Sequence, residues 1–202
     1  MGKKMYIQYN YEPWPHSIID DFFAEDILEE IEQTCEEINF GLCKVYDSLR
    51  KRIEEEYFPV LRTTRDALLT QVPNALSPIT TEDATFNVWV NKQQPHHAFK
   101  VHNDSPWKML STVVYIGEKG QGTLFHNDKE DTEIRGATPW KHNRAFSFIP
   151  STTSWHSYKN PFDTYRKTVL FNMGTLRDIK KAYNEIQGPP WHHNDKSKLI
   201  TI

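Results

Sequence analysis

Cysteine is scarce in this chain. Only Cys35 and Cys43 occur, which is no disulfide framework and fits a reducing compartment. Both read as buried or incidental thiols. No apolar run approaches the length of a membrane span. The opening Met1-Gly2-Lys3-Lys4-Met5-Tyr6 lacks the apolar core of a signal peptide, and its sixth position lacks the Ser or Thr of a myristoylation signal. A strong charge of one sign is absent too. The net charge of -3 leaves no footprint of a general nucleic-acid binder, which makes nucleic acid an unexpected partner. There is no internal repeat and no low-complexity tract. These absences lead us to expect a soluble, cytoplasmic protein with no membrane partner. At 202 residues, 38% hydrophobic and 13% aromatic, the chain can bury a core without staples.

The first third has helical periodicity. Ile27, Leu28, Ile31, Cys35 and Ile38 share one face. Asp20 and Asp21 are candidate caps, and Gly41 is a candidate stop. Leu49, Ile53 and Tyr57 continue in steps of four. Pro59 should break or restart that helix, leaving a third over roughly Val60 to Leu69. Pro73 and Pro78 mark an irregular link. From Ala84 the pattern turns to strands: Thr85 to Val90, Met109 to Ile116, Gly122 to Phe125, Arg144 to Ile149 and Lys167 to Met173. Gly117, Gly120, Gly136, Pro139 and Pro150 supply turns between them. Many short strands after a helical preface predict a mostly β, α+β protein, a β-sandwich or jelly roll supported by helices. Leu176, Ile179, Tyr183 and Ile186 predict a C-terminal helix ended by Gly188-Pro189-Pro190, with a loosely held polar tail.

Within this frame, Val101-His102-Asn103-Asp104 holds an H-x-D pair. Residues i and i+2 of an extended segment point to one side, so both side chains can meet one ion. A later histidine, His156, follows Trp155. Two imidazoles and a carboxylate on one face of a metal leave the opposite positions open, the facial arrangement of non-haem Fe(II) oxygenases. Ten residues after His156 comes Arg166, then Thr168. A guanidinium there can grip a carboxylate with two parallel hydrogen bonds. His96, His97, His126 and His142 read as loop, solvated or hydrogen-bonded residues, and His192 and His193 as tail. Trp107, Trp155 and Asn91 are candidates for the substrate wall. The loops at 129–132 and 136–143 frame that site and carry no recognisable code.

These residues resemble the Fe(II)/2-oxoglutarate-dependent dioxygenase superfamily, most closely its prolyl-hydroxylase-like branch. The resemblance runs from about Phe86 to Met173, with Ser17-Ile18-Ile19-Asp20-Asp21-Phe22-Phe23 similar to the strand-then-helix entry of many members. The family's H-x-D…H motif falls on His102, Asp104 and His156, which implies iron ligation and a catalytic role. Its Arg-x-Ser/Thr motif falls on Arg166 and Thr168, which implies binding of the distal carboxylate of 2-oxoglutarate. Tyr115 stands on the strand that carries a cosubstrate-binding tyrosine. Gly120-Gln121-Gly122-Thr123-Leu124-Phe125 resembles the G-G-x-T-x-F segment that follows it. Two features depart from the pattern. Asn143-Arg144 stands where a glycine turn is common, and Trp89 and Asn91 stand where many prolyl hydroxylases carry a tyrosine.

The resemblance implies a double-stranded β-helix, a cupin-like jelly roll. It implies one oxygenase domain over residues 1–202: a helical preface at about 20–75, a core at about 84–175, and a C-terminal helix and tail at 176–202. The cofactors implied are Fe(II), 2-oxoglutarate and O2, with ascorbate as a candidate reductant. The reaction implied is hydroxylation coupled to decarboxylation of 2-oxoglutarate to succinate and CO2. Asp104 fits hydroxylation over halogenation, which needs that ligand position vacant. The expected substrate is a small molecule or amino acid. The alternatives are a peptide or protein (prolyl) substrate, or a non-catalytic metal-binding module.

Overall fold

The computed structural model describes residues 5–77, 84–130, 133–179 and 200–201. The first part of the chain runs β1 (Ile7–Asn10), β2 (His16–Ile19), α1 (Glu25–Glu37), β3 (Gly41–Lys44) and α2 (Asp47–Leu69). The strands β4 (Ala84–Gln93), β5 (Ala98–His102), β6 (Leu110–Ile116), β7 (Leu124–Phe125) and β8 (Gly136–Ala137) follow. The chain continues through β9 (Arg144–Phe148), β10 (His156–Lys159), β11 (Arg166–Thr175) and β12 (Ile200–Thr201). Eight strands form one sheet in the order β1-β2-β9-β6-β11-β4-β3-β12. Four form a second in the order β5-β10-β7-β8. Every pairing is antiparallel. This is the two-sheet jelly-roll architecture, with helices on the outer face of the larger sheet. No helix among the described residues is long and apolar enough to cross a membrane.

Alternation along the central strands builds two cores. On β11, Val169, Phe171 and Met173 face the helices, whereas Arg166, Thr168, Leu170 and Asn172 face the other sheet. The helix side packs Ile27 and Ile31 of α1 and Leu49, Ile53, Tyr57 and Leu61 of α2 against Val88, Val90, Val114, Val169 and Phe171. Between the sheets, Trp14, Tyr115, Phe125, Phe146 and Phe148 form a smaller aromatic core. Lys92 joins the layers: its buried Nζ donates to the carbonyls of Cys35 and Ile38 at 2.9 Å each. It thereby satisfies acceptors that the end of α1 leaves open. Both cysteines are free and buried, and burial pushes the Cys35 thiol up to about 12.

Several local expectations need correction. Pro59 neither breaks nor restarts a helix, because α2 runs through it. Pro59 is exposed, so the carbonyl it orphans one turn back meets water, while the buried face continues without interruption from Tyr57 to Leu61. Asp20 does not cap α1; it pairs with Arg144 and Lys141. The helix begins at Glu25 without a side-chain cap, and the Ala24 N–H donates to the Tyr57 hydroxyl at 2.8 Å. Gly41 is not the helix stop. The helix ends at Glu37, and Gly41, at φ 107°, opens β3. Near the end of the chain, Ile200 and Thr201 pair with Lys44 and Cys43. Residues 176–179 are helical. The rest of that expected helix, with Tyr183, Ile186, His192 and His193, lies outside the described residues, as does Pro78.

The glycine missing from the turn before β9 has a physical substitute. Asn143 sits at φ 57°, a left-handed conformation that asparagine tolerates better than most residues. Its amide clasps the backbone of Phe23: Oδ1 accepts the Phe23 N–H at 2.8 Å and Nδ2 donates to the Phe23 carbonyl at 3.0 Å. The turn therefore ties the helical preface to the jelly roll. Asn143→Gly should lower the unfolding free energy by about 1–3 kcal/mol through the lost hydrogen bonds. Asn143→Ala should lose about 1–2 kcal/mol more, because alanine is strained at this φ. Urea denaturation measures both, and equal midpoints for the two variants would rule out the backbone contribution.

Candidate metal and cosubstrate site

His102 ends β5 and His156 begins β10, and the antiparallel register places them directly opposite each other. Their rings lie 4.2 Å apart between centroids. Asp104, two residues beyond His102, completes the group. One potential ligand atom from each of the three lies within 4.8 Å of the others. His102 Nδ1 faces the Lys100 carbonyl at 3.0 Å, and His156 Nδ1 faces the Ser154 carbonyl at 2.8 Å. A carbonyl only accepts, so in each neutral ring Nδ1 carries the proton and Nε2 keeps a lone pair. That is the tautomer a metal requires, held by an outer hydrogen bond. Phe99 packs edge-on to His102 and Phe148 edge-on to His156.

The electrostatics suit this arrangement. Burial pushes His156 down to about 4, with Asp104 opposing. Burial also lowers His102, again against the pull of Asp104. Both rings are thus kept neutral. Burial works against a charged Asp104, but Lys108, His156 and hydrogen bonds from Lys108 and Ser111 outweigh it and hold the carboxyl well below its usual range. Lys108 Nζ donates to Asp104 Oδ1 and the Ser111 hydroxyl to Oδ2, each at 2.5 Å.

Asn103, between the two motif residues, locks the group together. Its Oδ1 accepts the Asp104 N–H and the Ser154 hydroxyl, each at 2.9 Å. Its Nδ2 donates to the Ser151 carbonyl. It therefore joins the H-x-D turn to the loop that delivers His156.

The group opens into a cavity of about 430 Å³ that Arg166 also lines. Arg166 is 3% exposed, and its Nε–H donates to the Gln121 carbonyl at 3.1 Å. Its guanidinium carbon lies 4.0 Å from the centroid of the Tyr158 ring, a cation–π contact. Burial presses its pKa down, with Tyr115 and Tyr158 opposing, yet a guanidinium stays charged. Among the described residues it has no carboxylate partner, and a buried cation left so calls for an anion. Thr168, on the same face of β11, is fully buried with an unpartnered hydroxyl. One cavity thus brings together a buried cation without a carboxylate partner among the described residues and a three-ligand group.

Not every candidate residue lies where the spacing suggested. Tyr115 is buried behind Arg166 and its hydroxyl is engaged: it shares a 3.0 Å hydrogen bond with Thr123 Oγ1 and accepts the Thr123 N–H at 3.0 Å. Tyr115 does not line the cavity; the hydroxyl-bearing residues that do are Ser105, Ser111, Thr112, Thr123, Ser157 and Tyr158. Asn91 does line it. Trp107 and Trp155 do not. Trp107 packs on Gly174, where a Cβ would come within 2.8 Å of its ring, and the Trp155 indole donates to the Thr152 carbonyl at 3.1 Å. Nearness in sequence to Asp104 and His156 misleads here: Trp155 is the immediate neighbour of His156 and does not share its side, and Trp107 lies three residues beyond Asp104 in a turn. His97, read as a loop residue, bonds the Tyr158 hydroxyl at 3.0 Å. His126, read as solvated or hydrogen-bonded, is buried against Ser157. Lys108, Ser111, Asn103 and Tyr158 escaped the sequence reading. For Lys108 and Ser111 the available signal was a cation and a hydroxyl within seven residues of Asp104.

No family model and no curated protein matches the sequence. Solved structures do match by fold. The viral collagen prolyl hydroxylase of Paramecium bursaria Chlorella virus-1, solved with 2-oxoglutarate, is 13% identical. That match covers 83% of this chain and 97% of the viral one, with a TM-score of 0.55. A prolyl-4-hydroxylase of Pseudomonas putida is 16% identical, covering 79% of this chain and 92% of its own, at 0.56. An oxidoreductase of the 2OG-Fe(II) oxygenase family from Burkholderia pseudomallei is 10% identical, covering 79% and 84%, at 0.51. The chain has the fold of the 2-oxoglutarate/Fe(II) oxygenases, in the form found in prolyl hydroxylases.

The hydrogen bonds of Asn103 predict that Asn103→Ala weakens binding of Co(II) by about 10–100-fold, the range for loss of an outer-shell partner. Calorimetric titration measures this, with the urea midpoint as a check on folding. Unchanged affinity in a folded variant would separate the clamp from the three-residue group.

Proposed function

We propose that the protein is an Fe(II)- and 2-oxoglutarate-dependent oxygenase that hydroxylates a small molecule or amino acid. The observation that carries this reading is the buried, carboxylate-free Arg166 sharing one cavity with His102, Asp104 and His156. A bare metal-binding module has no use for the buried cation, whereas a dicarboxylate chelating the metal at one end needs it at the other. The residues fit both groups. His102 Nε2, His156 Nε2 and an Asp104 oxygen would hold the metal; Arg166, with the orphaned Thr168 hydroxyl beside it, would hold the distal carboxylate. When bound, iron and 2-oxoglutarate supply decarboxylation of the keto acid to succinate and CO2, coupled to hydroxylation of a substrate C–H bond.

The chain itself binds, orients and excludes water. Phe99 and Phe148 limit ring motion of the two histidines. Tyr158, with Tyr115 and Trp140 farther off, lines the space around the guanidinium. Asn91, Gln93 and Asn172 present amides along the cavity wall, suited to a polar substrate. Trp89 and Asn91 stand where many prolyl hydroxylases carry a tyrosine, which weighs against a prolyl substrate. The second reading keeps the chemistry and takes a prolyl peptide, as the names of two fold neighbours suggest.

Anaerobic addition of 2-oxoglutarate to the Fe(II)-loaded protein should produce a visible charge-transfer band that is absent in His102→Ala. Arg166→Ala should raise the 2-oxoglutarate needed for half-saturation about 10–100-fold, the equivalent of a lost charged hydrogen-bond pair at about 1.4 kcal/mol per tenfold. A folded, iron-loaded protein that gives no band would return the site to the binding-module reading.

A further inference from the structure

Lys108 has no part in the reading so far, yet it is bonded to the centre of the site. Among the described residues lining the cavity Asp104 is the only carboxylate, and Lys108 and Arg166 are the cations. The Lys108 side chain is 18% exposed and that of Asp104 10%. Their 2.5 Å contact is therefore a largely desolvated ion pair, not a surface bridge. With Ser111 on the second oxygen, both carboxylate oxygens are engaged.

A divalent ion held by His102, Asp104 and His156 needs one of those oxygens. Ser111 can remain, because a hydroxyl is neutral. An ammonium sharing the carboxylate with a dication meets like-charge repulsion in a poorly screened site. Among the described residues no other carboxylate lines the cavity to receive it. The charge balance points the same way. A divalent ion, Lys108 and Arg166 set against Asp104 leave three positive charges in the cavity. A dianionic keto acid cancels two of them, and one is left uncompensated.

We propose that Lys108 is the specificity-determining cation of this cavity: it holds Asp104 in place of a metal and, once a divalent ion takes the carboxylate, turns to receive an oxyanion group of the substrate. The substrate class is then a small polar molecule bearing a carboxylate or a phosphate. This rests on the metal-site reading above. The amides of Asn91, Gln93 and Asn172 bind the neutral polar part, and Lys108 fixes the charged end.

The test is acylation of Lys108 in the full chain by an amine-reactive ester, followed by mass spectrometry. Metal-free protein is compared with Zn(II)-loaded protein saturated with 2-oxoglutarate. Zn(II) should speed labelling of Lys108 several-fold. Excess acetate or inorganic phosphate, against chloride at matched ionic strength, should then slow it, and the protecting anion identifies the substrate group. Labelling indifferent to Zn(II) in protein that binds Zn(II), or indifferent to both anions, overturns the proposal. Independently, Lys108→Met should bind Zn(II) at least tenfold tighter by calorimetry, because the competing cation is gone. Equal or weaker binding in the folded variant overturns the counter-ion role. Should that variant not fold, the labelling of the wild-type chain decides. Wild-type protein that binds no Zn(II) overturns the metal-site reading itself, and this proposal with it.

Discussion

The site depends on one pairing, the register of β5 against β10 that sets His102 opposite His156. Antiparallel neighbours directly across a ladder bring their side chains together on one face. A slip of one residue would turn one of the histidines to the other side of the small sheet. That sheet is short, and its register shifts between His156 and Tyr158, so backbone pairing alone specifies it weakly. Asn103 supplies the missing specification. Its amide bonds to Ser151, Ser154 and Asp104, leaving the H-x-D turn and the His156 loop one mutual arrangement. The larger sheet and its helices supply the stable platform on which this small sheet is hung.

A second constraint is charge. Proteins bury unpaired ions reluctantly, yet Arg166 is buried without a carboxylate. The fold pays for this with aromatic faces: Tyr158 lies against the guanidinium, and Tyr115 and Trp140 stack on each other about 6 Å from it. Tyr158 is in turn fixed by His97 through its hydroxyl. One short stretch therefore serves both the metal group and Arg166: β5 ends in His102, and His97, just before β5, steadies the ring against Arg166.

What was legible in the sequence was whatever short covalent spacing dictates. H-x-D on an extended segment and Arg-x-Thr on a strand each put two side chains on one side whatever the rest of the fold does. The strong strands were legible because their alternation is long enough to show. Residues whose placement depends on register were not. Tyr158 reaches Arg166 only because β10 lies across from β5, and Asn103 acts only through a loop almost fifty residues later. The cost of Pro59 in a helix depends on which side it faces, which local periodicity does not show. Trp107 and Trp155 show that nearness in sequence is not nearness in space. Asn143 looked like a departure from a glycine rule until its φ and its clasp on Phe23 showed what the position requires: a residue that accepts the left-handed region and can tie the preface down.

The three fold neighbours described above share 10–16% identity with this chain, yet the matches cover most of it. Such divergence leaves the backbone path as the common property, with the cavity lining free to vary. In this chain the lining is a row of amides on β4 and β11, with an ammonium held against the carboxylate of the candidate metal group. Amides bind polar groups without demanding charge, whereas a desolvated ammonium demands an anion. Selectivity for one substrate over another therefore rests more on Lys108 than on the amide wall. An analogue lacking the anionic group would leave a largely desolvated cation unpaired, which costs more than a mismatched hydrogen bond in an open polar cavity.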